Sequence, residues 1–197
     1  MAFILRQRIR RIAGVLTLLM FASTSTPKTL SAQTGPLQSD EISIYRVLLR
    51  HPEFSGRGPS LAPVVILREI RGAFGFVLSA ATLFHDWQSL NHQDTRDAFL
   101  LAAKPTNSAM LPGEFEAGPG VTVVEPPGIV SCLGAPSDVA ERQTFLYRVG
   151  FSSDRQQAIT AISNCWSGRA VLFQRTSEGW HAVEALVTWN LPPRRRP

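Results

Sequence analysis

Residues 145–190 contain four apolar runs separated by three polar turns. In the first run, from Phe145 to Phe151, large apolar side chains occupy every second position, which is typical of a β-strand with one buried face. The three turns contain residues that favour tight turns: Ser152-Ser153-Asp154, Trp166-Ser167-Gly168 and Ser177-Glu178-Gly179. The pattern predicts a four-stranded antiparallel meander whose last strand ends before Pro192 and Pro193.

A different spacing of apolar residues, typical of a helix, occurs closer to the N-terminus. It predicts a helix that is capped by Ser39 or Asp40, runs to about Arg50 and ends before Pro52. The apolar face of this helix consists of Ile42, Tyr45, Leu48 and Leu49. Such a face requires a partner, and the predicted sheet provides one.

Further elements are predicted between this helix and the meander. A second helix is capped by Asn91 or Asp94 and reaches Ala103. Two β-branched segments, 64–67 and 121–124, are predicted to be short strands.

These elements together predict an α+β fold. Two or three N-terminal helices would pack on a C-terminal four-stranded antiparallel meander, with the sheet contributed by residues 145–190. Residues 73–83 are apolar and are compatible with either a strand or a buried helix.

The first 32 residues have the organisation of a secretory signal. Four arginines precede an apolar segment at 12–22, and a polar stretch then ends at Leu30-Ser31-Ala32, which predicts cleavage after Ala32. An uncleaved anchor or a basic amphipathic helix is the alternative interpretation. The predicted organisation is a signal at 1–32, a single α+β domain at 33–193 and a basic tail at 194–197, in a protein that is exported to the periplasm or the extracellular space.

The charge of the chain supports the same division. The net charge is +5, and the predicted signal holds five of the 20 Lys and Arg residues and no acidic residue. The remaining 15 basic residues equal the 15 acidic ones. Binding to a nucleic-acid backbone needs clustered basic residues, so the sequence argues against a nucleic-acid partner. Contact with a membrane is expected only through the signal segment before cleavage, and the partner itself is not specified.

The chain has two cysteines, Cys132 and Cys165. In an oxidising compartment an even number of cysteines favours a disulfide, and two separate buried thiols are the alternative. Two cysteines do not make a zinc site, and no histidine stands at ligand spacing from either. We therefore predict a disulfide and no cofactor.

Familiar catalytic motifs are absent from the sequence: G-x-S-x-G, H-E-x-x-H, a P-loop and G-x-G-x-x-G do not occur. One polar group merits consideration as a metal or ligand site, namely His85, Asp86, His92 and Asp94. On one continuous helix, His85 and His92 would share a face. The alternative is a set of solvated polar residues at the start of a helix.

Two other groups are candidates for chemistry. Glu114, Glu116 and Glu125 would provide the paired carboxylates of a glycoside hydrolase, or else they are solvated loop acids. Trp166, Trp180 and Trp189 lie on the meander with Tyr147 and His181, where an exposed aromatic face would stack on a ligand. Core packing is the alternative, because Trp180 and Trp189 have opposite parity on one strand.

The C-terminal quarter resembles a group of uncharacterised exported bacterial proteins with a Cys/Gly/Trp-containing β-meander. The matching segments are Tyr147-Arg148-Val149-Gly150-Phe151, residues 158–165, Gly168, Gly179-Trp180 and Trp189. The resemblance implies export and a shared fold. Relatives of this kind carry two Cys-Gly steps, whereas here Trp166 follows Cys165, so Cys132 would serve as a replacement partner.

The sequence thus predicts a non-enzymatic binding or structural module of the periplasm or cell surface. The alternative is a small exported hydrolase that uses the loop carboxylates or the His85/His92 group.

Overall fold

A computed structural model describes residues 35–51, 64–71, 93–104, 106–125 and 143–190. These ranges contain two helices and nine strands. The helices are α1 (Ser39–Arg50) and α2 (Gln93–Ala102). The strands are β1 (Val64–Leu67), β2 (Glu69–Ile70), β3 (Ala109–Met110), β4 (Val121–Val124), β5 (Gln143–Leu146), β6 (Gly150–Phe151), β7 (Gln157–Ser163), β8 (Ser167–Thr176) and β9 (Gly179–Asn190).

Seven of these strands form one mixed sheet. Its order is β4-β1-β5-β7-β8-β9, and β6 pairs with β7 beside β5. β1 is parallel to both β4 and β5, whereas β7 is antiparallel to β5, β6 and β8, and β8 is antiparallel to β9. β2 and β3 form a separate antiparallel pair.

The predicted α+β class is therefore wrong, because the described part of the chain is mostly β. β1 and β4 belong to the same sheet as the C-terminal strands. β1 pairs in parallel with β4, with Val64 opposite Val121, and in parallel with β5, with Val65 opposite Gln143. A hydrophobic pattern shows which face of a strand is buried, but it does not show which distant strand lies beside it. The predicted layer of two or three N-terminal helices is absent from the described residues, where α1 alone precedes the sheet.

The first predicted strand of the meander is also interrupted. β5 ends at Leu146 and β6 begins at Gly150, and between them Arg148 N donates to Arg71 O at 3.1 Å. Arg148 points inward to α1, where it pairs with Glu41. The buried Arg148 thus divides residues 145–151 into two strands, whereas the alternation of apolar residues predicted one continuous strand.

Apolar side chains cover both faces of the sheet. On one face α1 contributes Ile44, Tyr45 and Leu48 to a core that also contains Val171 and Phe173 of β8. Because neighbouring residues of a strand point to opposite faces, Leu172 lies on the other side.

The second face has its own core. Phe99 of α2 packs there with Ile159 of β7 and Leu172 of β8. All seven residues of β7 are buried as a result. Neither described helix is long and apolar enough to cross a membrane.

The contact between α2 and β6 is unusually close. A Cβ atom placed on Gly150 would lie 2.1 Å from Phe99 N and 2.2 Å from Phe99 Cα. Only glycine allows the helix backbone to approach the strand this closely.

The sheet ends in two antiparallel hairpins. The first links β7 to β8 through a turn around Asn164, whose Oδ1 accepts hydrogen bonds from Trp166 N at 2.8 Å and Ser167 N at 2.7 Å. Ser167 and Gly168 lie within β8, so this turn precedes the predicted position. The second hairpin turns at Ser177 and Glu178, as the polar residues predict.

Candidate functional site

Two arginines meet at the end of the sheet where β7 begins and β8 ends. Arg155 lies in the turn before β7, with a positive φ of 56°, and Arg175 is the penultimate residue of β8. Arg175 N donates to Gln156 O at 2.9 Å, which brings the two segments together. We call Arg155 and Arg175 the arginine pair.

An aromatic ring supports each guanidinium of the arginine pair. Arg155 Cζ lies 4.5 Å from the ring centroid of Phe151, and Arg175 Cζ lies 5.6 Å from that of Trp180. The rings contact each other, with centroids 5.6 Å apart. Cation–π contacts of this kind restrict the motion of the arginine side chains. The pair therefore forms a partly fixed, positively charged cover over the edge of the first core.

One carboxylate contacts both arginines. Asp40, in the first turn of α1, places Oδ2 at 3.0 Å from Arg155 Nη2 and at 3.5 Å from Arg175 Nη1. Arg155 also donates to Gln38 Oε1 at 2.9 Å. Two positive charges and one negative charge leave this group with an excess of one positive charge.

The two arginines differ in how fully their donors are used. Arg155 contacts Asp40 through Nε and Nη2 and also binds Gln38, whereas Arg175 reaches Asp40 only at 3.5 Å. The Arg175 side chain is 43% exposed, and it makes no hydrogen bond to another residue that the structure describes. Its guanidinium is therefore open to an external acceptor.

A second ion pair, which involves the residue after Asp40, is closed to solvent. Arg148 Nε lies 3.0 Å from Glu41 Oε1, and Arg148 Nη1 donates to Gly35 O at 2.8 Å. The two side chains are 1% and 0% exposed. Burial raises the pKa of Glu41, and the neighbouring Arg148 charge partly opposes that rise. This pair fixes the start of α1 to the segment between β5 and β6.

Hydrogen bonds at the Tyr147 carbonyl add to this anchorage. Tyr147 O accepts from Tyr45 OH at 3.0 Å and from Thr160 Oγ1 at 2.6 Å. The Tyr147 hydroxyl pairs with Ser163 Oγ at 2.8 Å. α1 is thus held at two successive turns, by Glu41 and by Tyr45.

The predicted histidine group is only partly described. His85, Asp86 and His92 lie outside the described residues. Asp94 is the second residue of α2, and its Oδ2 accepts a hydrogen bond from Ser153 N at 2.6 Å. Asp94 therefore connects α2 to the turn before β7.

The predicted aromatic residues lie in separate places. Trp180 is 6% exposed and packs in the first core, whereas Trp166 is half-buried in the turn between β7 and β8. The indole Nε1 atoms of Trp166 and Trp180 are buried and have no hydrogen-bond partner within the described part of the chain. His181 is exposed, and the side chain of Trp189 is not among those described.

The predicted carboxylates are not gathered by the contacts that the structure describes. Glu114 and Glu116 are exposed on either side of the buried Phe115, and Glu125 forms an ion pair with Arg68. No group of three or more His, Cys, Asp or Glu side chains that would suit a metal ion occurs within residues 35–51, 64–71, 93–104, 106–125 and 143–190.

Cys165 follows β7 by two residues and is not a free thiol. Its predicted partner Cys132 lies outside the described residues, so the bridge between these two cysteines stays a prediction.

No protein-family model, curated protein or solved structure matches this chain. The resemblance to exported bacterial proteins therefore stays a prediction.

The sequence did not predict the arginine pair and Asp40 as a site, and it assigned Asp40 only to the start of a helix. The pair is 20 positions apart in sequence, and the signal that could have located it is the hairpin register that places both residues at one end of the sheet.

Proposed function

We propose that the protein is an exported, non-enzymatic binding module of the periplasm or cell surface, and that it holds an oxyanion group of its ligand at the arginine pair. The observation that carries the proposal is the state of Arg175. Its side chain is 43% exposed, and its guanidinium lies over the ring of Trp180 and is 3.5 Å from its nearest described carboxylate.

The chemistry of guanidinium defines the class of ligand. Its planar fork of N–H donors matches the two oxygens of a carboxylate or a phosphate, and such charge-assisted hydrogen bonds are stronger than neutral ones. The rings of Phe151 and Trp180 already restrict the two arginines, so less side-chain entropy is lost when a ligand binds. A carboxylate and a phosphate share this chemistry, and the ligand class is therefore an oxyanion.

The predicted signal at residues 1–32 supports export. A basic segment, an apolar segment at 12–22 and a small-residue cleavage position at Ala32 direct a protein out of the cytoplasm. The excess charge of the pair is local, since the chain beyond residue 32 has equal numbers of acidic and basic residues. The proposed interaction is thus directed to one anionic group rather than to a polyanionic backbone.

Titration calorimetry of the purified protein with inorganic phosphate, and separately with citrate, tests this proposal. We expect one of the two anions to bind, and Arg175→Gln to weaken the binding at least about tenfold, which equals roughly 1.4 kcal/mol. Arg50→Gln at the exposed end of α1 is the matched control, because it removes the same charge elsewhere. Tighter binding of phosphate would identify a phosphoryl ligand and tighter binding of citrate a carboxylate ligand, whereas binding of neither, or equal losses in both variants, contradicts the proposal.

A further inference from the structure

We infer that Asp40 is an internal competitor that occupies the arginine pair until an external oxyanion displaces it. The inference rests on the proposed function and adds a means of regulation to the same site. Asp40 would neutralise part of the positive charge of the empty site, and a ligand would engage both arginines only when its oxyanion replaces this carboxylate.

The contacts at the pair concentrate on one atom. Oδ2 of Asp40 lies 3.1 Å from Arg155 Nε, 3.0 Å from Arg155 Nη2 and 3.5 Å from Arg175 Nη1. A ligand oxygen that approaches both guanidiniums must come close to this negatively charged atom. Like charges repel at such distances, so the carboxylate and the ligand compete for the same donors.

Asp40 is able to leave the arginines without losing all of its stabilisation. It lies in the first turn of α1, where a carboxylate interacts favourably with the positive end of the helix dipole. Its side chain is 22% exposed, so solvent reaches it beside the pair. A change of rotamer would therefore move its charge from the guanidiniums to water while α1 stays intact.

α1 also does not depend on Asp40 for its position. The buried Arg148–Glu41 pair and the hydrogen bond from Tyr45 OH to Tyr147 O hold the helix independently. Release of Asp40 thus alters the exposed layer of contacts and leaves the buried layer unchanged. The arrangement separates the part that would exchange with ligand from the part that maintains the fold.

The inference is tested by titrating wild type and Asp40→Asn with inorganic phosphate and with citrate. Asparagine keeps the size of the side chain and removes its charge, so we expect at least about fivefold tighter binding by the variant. Asp97→Asn on α2 is the matched control, because it changes the net charge equally on the other side of the sheet, and its affinity should equal that of wild type. Circular dichroism verifies folding, and Asp40→Ser replaces Asp40→Asn if the latter does not fold.

The outcomes separate this inference from the proposed function. Binding by Asp40→Asn that is tighter than the measured binding by wild type supports an internal competitor. Equal or weaker binding by Asp40→Asn, with binding by wild type intact, overturns the inference and leaves the proposed function standing, since the arginines would then bind the anion without displacing Asp40. If neither protein binds either anion, both are overturned.

Discussion

Tyr45 and Tyr147 are the two tyrosines of the chain, and both have hydroxyl groups withdrawn from solvent. Burial raises the pKa of Tyr45 well above its ordinary value of 10.0, and the negative charge of Glu41 acts in the same direction. Burial also raises the pKa of Tyr147, although its hydrogen bond with Ser163 and the charge of Arg71 oppose the rise. Neither phenol is expected to ionise readily in the folded protein.

This difference between folded and unfolded states predicts a loss of stability at alkaline pH. Above pH 10.0 the unfolded chain releases two phenolic protons that the folded chain keeps, so the free energy of unfolding falls as the pH rises from there through the raised pKa values. Tyrosinate absorbance during an alkaline titration should therefore appear together with the loss of the native circular dichroism signal. A tyrosine that ionises near pH 10.0 while the fold persists would contradict the predicted burial of that hydroxyl.

The candidate site was not predictable from the individual residues that form it. Arg155 and Arg175 are unremarkable charged residues in a polar turn and at the end of an apolar run. Whether they share a face depends on the pairing of Gln157 with Gln174, and a shift of one residue would direct Arg175 to the opposite face. The sequence pattern suggested a hairpin here without specifying its register, and the site depends on that register.

At the scale of elements, the contact of α2 with β6 depends on the absence of a side chain at position 150. Gly150→Ala places a methyl carbon within 2.2 Å of two backbone atoms of Phe99, which is far closer than carbon atoms approach in proteins. We expect a loss of about 3 kcal/mol or more in the free energy of unfolding measured by urea denaturation. Gly113→Ala is the control, since its Cβ meets nothing within 4 Å, and its effect should stay within about 0.5 kcal/mol. Similar stabilities for the two variants would show that α2 does not pack on β6 in this way.

The positions of several strands were predictable, but their arrangement in the sheet was not. The strands depend on interactions between neighbouring residues, whereas the sheet depends on interactions between residues far apart in sequence. β1 and β4 coincide with the β-branched segments 64–67 and 121–124, and α1 spans the predicted apolar stripe. Their bounds follow from local propensity and spacing. The partners of β1 are contributed by residues more than 50 positions away in sequence, and no local pattern indicates that pairing.

The cap of α1 also differs from the prediction of Ser39 or Asp40. Gln38, the residue before Ser39, caps the helix, and Gln38 N donates a hydrogen bond to the Glu41 carboxylate at 3.1 Å.

At the scale of the whole molecule, the predicted export and disulfide are tested together by mass spectrometry. We expect the protein recovered from its native compartment to begin at Gln33 and to resist thiol alkylation before reduction, because a cleaved signal and a Cys132–Cys165 bridge would produce this result. A full-length mass with two alkylated thiols would instead indicate an uncleaved anchor and a reducing environment. Alkylation of a chain that starts at Gln33 would support export and exclude the bridge.

The parallel pairing of β1 has a consequence for the order in which the chain folds during synthesis. β1 is synthesised long before its partners β4 and β5. The separation in sequence between Glu41 and its partner Arg148 is larger still. Contacts between distant residues form slowly, whereas the β7–β8–β9 hairpins need only neighbouring residues. We therefore expect the sheet contacts of β1 and the ion pair of Glu41 to form only after residue 148 has been synthesised. For the export proposed above, this delay would keep the nascent chain competent for transport.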